Sequence, residues 1–188
     1  MTHALFTRIP LWVNAAMLLA LLLGLAACST TAPEGMTAVT PFDINRYQGR
    51  WYEIARMDHS FERGLSDVTA NYRLKPDGRI EVLNRGYNTR RNAWRQVVGH
   101  AVFSGAADRA SLKVSFFGPF HGGYHVVALD QQDYRWAMVV GPSRSYFWIL
   151  AREKQLPSKI RERLLEKARR LGIDTTALIW VAQTRTEN

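Results

Sequence analysis

The stretch Gly49-Arg50-Trp51-Tyr52-Glu53-Ile54-Ala55-Arg56 decides the fold. A glycine opens it, two aromatics follow, and residue types then alternate, the signature of a strand with one buried face. Just ahead, Phe42, Ile44 and Tyr47 stud a short segment that Asp43 can cap as a helical turn. Behind it come at least seven more strand-like runs. We therefore read it as the first strand of a closed β-barrel, with Trp51 plugging one end.

Working outward, Asp58 to Ser66 is a polar loop carrying one large aromatic, Phe61. Val68, Ala70, Tyr72 and Leu74 then alternate with polar residues. Pro76-Asp77-Gly78 is a turn, since proline presets one φ and glycine accepts a positive one. Residues 68–87 thus form a hairpin. Further strands are expected at Trp94 to Phe103, around Leu112, Val114 and Phe116, and at Tyr124 to Leu129, Tyr134 to Val140 and Tyr146 to Arg152. Gly118 to Gly123 reads as a plain glycine-rich loop, because no helix follows it to hold a phosphate. Regular turn signals suit an up-and-down sheet. Between Ser158 and Leu171 the period changes: Ile160, Leu164, Leu165, Ala168 and Leu171 mark one face of a helix bounded by Pro157 and Gly172. Its other face is basic and solvated. Leu178 to Val181 is a last short strand. The fold class is all-β with one C-terminal helix, an eight-stranded antiparallel barrel whose closure removes exposed edges.

Residues 1–27 read as an export signal: Arg8 is their only charge, and Leu11 to Leu25 is almost wholly apolar but short for a membrane span. Leu25-Ala26-Ala27-Cys28 resembles the bacterial lipobox, in which the cysteine thiol receives a diacylglyceryl group. Cys28 is the only cysteine, so no disulfide is available. Residues 28–40 read as a lipidated flexible tether, 41–183 as the folded domain and 184–188 as a tail. Removal of 27 of the 188 residues leaves 161, enough for one domain with a sizeable core. Losing Arg8 takes the net charge from +9 to +8, which suits an anionic surface or ligand. The basic residues are scattered, and an exported, anchored protein does not meet nucleic acid.

Two motifs make the family resemblance. Gly49-Arg50-Trp51, preceded by Tyr47, looks like the first lipocalin motif, G-x-W, and Trp148-Ile149-Leu150-Ala151-Arg152 looks like the third. In that family the arginine packs across the first-strand tryptophan at the closed base, so the resemblance assigns Gly49, Trp51 and Arg152 there. The second motif has two candidates, Asp130 or Asp133-Tyr134. Residues 41–183 resemble bacterial outer-membrane lipocalins along nearly their full length. That resemblance implies a lipid-anchored, periplasm-facing outer-membrane protein that stores or carries fatty acids or lysophospholipids.

Strand alternation supplies the expected ligand contacts. They are Val68, Ala70 and Tyr72 on one strand; Val114 and Phe116; Tyr124 and Val126; Ala137 and Val139; and Tyr146 and Trp148. A lipid headgroup is expected near the loop Asp58–Ser66, where Arg56, Arg63 or His59 can meet its charge. No catalytic residue, metal ligand or cofactor is expected: His59, His100, His121 and His125 are scattered, and the i, i+4 pair His121/His125 is not on a helix. A lipocalin-fold enzyme acting on a bound lipid and a purely structural lipoprotein are the alternatives. A homodimer is a further expectation.

Overall fold

The computed structural model describes residues 30–185; the export signal and Cys28 lie outside them. One helical turn, α1 (Ile44–Tyr47), precedes the barrel, and the Asp43 side chain accepts the Asn45 N–H at 2.8 Å. The strands follow as β1 (Gly49–Arg56), β2 (Leu65–Leu74), β3 (Ile80–Asn88), β4 (Ala93–Phe103), β5 (Ser111–Phe117), β6 (Phe120–Leu129), β7 (Trp136–Val140) and β8 (Phe147–Ala151). Then come helix α2 (Ser158–Arg170) and the two-residue strand β9 (Ile179–Trp180). From β1 to β8 each strand pairs antiparallel with the next, β8 pairs back with β1 so that the sheet closes, and β9 adds to β1.

Two apolar layers hold the barrel. One fills its axis around Trp51, Tyr47, Val82, Leu112 and Leu150. The other lies outside β1 and β6–β8, where α2 lays Leu164 and Ala168 on Ala55, Ala128, Met138 and Ile149. Strands with apolar cover on both faces read as unbroken hydrophobic runs. This explains Trp136-Ala137-Met138-Val139-Val140, where alternation is invisible. Among the described residues no helix is long and apolar enough to cross a membrane.

Three expected boundaries need correction. Over its described part the expected tether lies docked on the barrel. Met36 and Ala38 are buried, the Val39 N–H donates to the Val126 carbonyl at 2.8 Å, and the Ala110 N–H donates to the Val39 carbonyl at 3.0 Å. Three apolar residues among small polar ones suffice to dock the segment once a barrel surface is there to receive them. The glycine-rich loop shrinks to a turn at Gly118-Pro119, because β6 already starts at Phe120 and pairs with β5. A side chain is excluded at Gly123, since its Cβ would sit 2.7 Å from His125 Nε2 and 3.2 Å from the backbone of Thr30.

The tail also begins later than expected. β1 and β2 pair over only four positions, Gly49 to Tyr52, and then separate. The C-terminal segment fills the gap. Val181 N–H donates to the Ile54 carbonyl, Asp67 N–H donates to the Ala182 carbonyl, and the Gln183 amide donates to both the Glu53 and Val68 carbonyls, each at 2.9 Å. Asp67, at φ 52° in a β2 bulge, accepts the N–H groups of Thr184 and Arg185 at 2.7 Å. Residues 181–185 are thus part of the wall.

Candidate functional site: the barrel lumen

One end of the barrel is sealed. Trp51 is fully buried, and its indole N–H donates to the Tyr47 carbonyl at 2.8 Å. The Arg152 guanidinium lies 3.9 Å from the centre of the Trp51 ring. Its N–H groups reach the carbonyls of Arg46, Gln48 and Arg50 at 2.7–2.9 Å, with longer contacts to Tyr47 and Tyr134. A planar cation with five donors suits this arrangement, because one face stacks while the edges satisfy carbonyls freed at the ends of α1 and β1. Gly49 supplies the positive φ, 87°, that starts β1. Tyr134, also at positive φ, sits at this end, where its hydroxyl accepts the Asp43 N–H at 3.0 Å. Of the two candidates for the second motif, Asp133-Tyr134 therefore reaches the base with its ring.

Above the base, three phenols meet. The Tyr124 hydroxyl is 2.7 Å from that of Tyr47 and 2.8 Å from that of Tyr72. Burial pushes all three pKa values up, so they remain neutral donors. The inward side chains of Ala70, Val114, Phe116, Tyr124 and Trp148 pack against the axial core yet stay partly accessible. Gly99 lets the Phe116 ring cross β4, since a Cβ there would fall 2.6 Å from that ring and 2.5 Å from the Ser115 carbonyl. Gly99→Ala is accordingly expected to cost about 1–3 kcal/mol in a denaturation experiment.

Not every expected contact residue lines open space. Val126, Ala137 and Val139 point inward but are fully packed. Val68 is buried over Gly86. Tyr146 lies just before β8, in an aromatic stack at the mouth: its ring is 5.8 Å from His59 and 6.3 Å from Phe61, with Trp148 alongside.

The mouth also holds a buried ionic cluster. Glu53, Arg56, His59 and Glu62 are each at most 6 % exposed. Arg56 donates to Glu53 Oε1 at 2.6 Å and to the Glu62 and Leu65 carbonyls, so it ties the loop 57–64 to the end of β1. The Glu62 carboxylate accepts the Trp148 indole N–H at 3.0 Å and lies 3.1 Å from His59 Nε2. Burial, reinforced by Glu62, pushes the Glu53 carboxyl well up against the opposing pull of Arg56. Burial acts upward on Glu62 as well, but His59, Trp148 and Arg56 outweigh it and hold Glu62 below its ordinary value. The two buried carboxyls are thus pushed in opposite directions, Glu53 up and Glu62 down. Glu53 and Glu62 were not singled out by sequence reasoning. Glu53 could have been, because it shares the inward phase of Trp51.

Of the other residues expected to meet a headgroup, Arg63 is exposed and paired with Asp58. His121 and His125 come to no metal cluster, and none exists among the described residues. A separate cleft of about 360 Å³ lies on the outer wall between Tyr52, Thr69, Trp94 and the C-terminal Gln183 and Arg185, away from the lumen.

Solved structures share this architecture. The cockroach allergen Per a 4 superposes with a TM-score of 0.65 at 20 % identity, covering 83 % of this chain and 97 % of its own. Residues 42–183 match the lipocalin-like domain family, and the chain belongs to it. The outer membrane lipoprotein Blc of Escherichia coli K12 is 54 % identical over 158 residues, 84 % of this chain and 89 % of that protein. Temperature-induced lipocalin-1 of Arabidopsis thaliana is 36 % identical over 166 residues, 83 % and 87 % of the two chains. The chain is a lipid-anchored lipoprotein of the outer membrane, with a barrel suited to a small hydrophobic ligand.

Proposed function

We propose that the barrel binds a single-chain lipid, a long-chain fatty acid or a lysophospholipid, without catalysis, and stores or carries it at the outer membrane. The observation that carries this reading is the lumen itself: Val114, Phe116, Tyr124 and Trp148 face the axis yet remain partly accessible. The acyl chain lies along them, an apolar path with a few hydroxyls, which is the usual make-up of a ligand pocket. The headgroup stays at the mouth, beside the aromatic stack and the Arg56 cluster. Anchoring of the protein through a lipid on Cys28 completes the proposal.

Binding is expected at a Kd of about 1 μM or tighter for delipidated protein titrated with palmitate or lysophospholipid, with quenching of Trp148 emission. Val114→Trp fills the lumen and should abolish binding while the cooperative melt survives. Saturable binding that persists unchanged in this variant, or no binding of either lipid to the parent protein, would refute the assignment.

A further inference from the structure

Three observations at the open mouth bear on where it points. First, the β5–β6 turn is tipped by an exposed aromatic pair: Phe117 and Phe120 are cross-strand partners, 72 % and 67 % exposed. Phe61, on the loop after β1, is 53 % exposed at the same end. Single exposed apolar residues are ordinary, but large rings collected at one rim mark a surface that something covers. Second, the β3–β4 turn at this end presents Arg90 and Arg91 to solvent. Third, the N-terminal segment runs toward this end when followed backwards. Phe42 bonds to the Asp108 carbonyl beside the sealed base, and Val39 bonds to Val126 partway up β6. The Glu34 carbonyl then meets Arg144 in the β7–β8 turn at the mouth, and Thr30 lies against Gly123. Gly123 is three residues from Phe120, about 10 Å along a strand. Cys28 is two residues from Thr30, so a lipid on it starts within about 7 Å of that residue.

We propose that the rim of the open mouth, led by Phe117 and Phe120, rests on the phospholipid surface that holds the anchor, so that the lumen opens onto the bilayer. The occupant is a bilayer because the covalent lipid starts beside this rim, and because aromatic rings flanked by arginines suit an apolar–anionic boundary. The sealed base then faces away, into the aqueous compartment. A ligand chain would pass between bilayer and lumen without crossing bulk water. The inference rests on lipidation of Cys28.

Lipidation consumes the only native thiol, so a new cysteine in the full-length lipoprotein can be labelled alone. Phe120→Cys and, at the opposite end, Ala107→Cys in the exposed β4–β5 turn each receive an environment-sensitive fluorophore. The lipoproteins are reconstituted in vesicles of phosphatidylethanolamine and phosphatidylglycerol. The label at 120 should shift to the blue, be quenched by bromolipids and resist iodide; the label at 107 should behave in the opposite way. Adding Phe117→Ser to the Phe120→Cys protein should reduce bromolipid quenching at least threefold. Equal aqueous behaviour at both positions, burial of the 107 label, or shielding at 120 without bromolipid quenching, as a second copy or another protein would give, each overturns the orientation. Mass spectrometry of the purified lipoprotein separates a missing anchor from a wrong orientation.

Discussion

Replacing Trp51 with alanine should lower stability by about 3–5 kcal/mol, the range for a large aromatic removed from a packed core. For a domain of this size that is a fall of roughly 6–20 °C in melting temperature. The loss has two parts. The indole is fully buried among Tyr47, whose ring centre is 4.7 Å away, and the Arg152 guanidinium. Without it, Arg152 keeps its carbonyl partners but has no surface to lie on, and the Tyr47 carbonyl loses a donor. Arg152→Lys should be damaging as well, because an ammonium cannot stack on the indole and reach the carbonyls of Arg46, Gln48 and Arg50 together. Thermal melts of both variants check this, and an unchanged melting temperature for Trp51→Ala would remove the base from any account of stability.

The second large effect is expected at Arg56. Arg56→Met strips a buried carboxyl of its cation and frees the loop 57–64, at a cost of about 3–5 kcal/mol. The pH dependence identifies the cause. Glu53 already has a pKa raised by burial and by Glu62. A carboxyl raised in the folded state contributes stability that is full below its ordinary value and is lost as pH rises through the folded one. Removing Arg56, which pulls that pKa down, widens the window upward. The variant should therefore be weakened more at pH 8 than at pH 5. Glu62 runs the other way, since a depressed carboxyl loses its contribution only as pH falls below its ordinary value. The double variant Arg56→Met/Glu53→Met should recover much of the loss, because an apolar pair of similar volume replaces a buried ion pair with little penalty. Denaturant titrations at the two pH values test this. An equal loss at both would mean that loop release, not charge, is responsible.

Much of this could be read from the chain because the strands on the lumen's exposed side alternate cleanly. Val68 to Leu74 shows the period directly, and turn residues mark most of the gaps. Where the helix covers the sheet, the period disappears, and strand limits at Trp136 and Phe147 depend on packing that only the fold supplies. Bulges were invisible. The register shift between Val114 and Phe117 has no local signal, although alternation through Leu112 and Val114 gives Phe116 the inner face and Phe117 the outer one. The loop 57–64 reads as ordinary surface because Glu62 finds Arg56 and Trp148 only once other elements are in place. The segment at Met36 to Val39 looked like a linker for the same reason: its partners, Val126 and Ala110, are some seventy to ninety residues away.

The C-terminal segment that bridges β1 and β2 also sets an order of events. Gln183 follows every described strand in the chain, yet its amide holds together the first two. The wall is complete only once this segment has docked between β1 and β2. For the same reason, truncation before Gln183 should disturb assembly more than its distance from the ligand path suggests, whereas an extension beyond Arg185 should not.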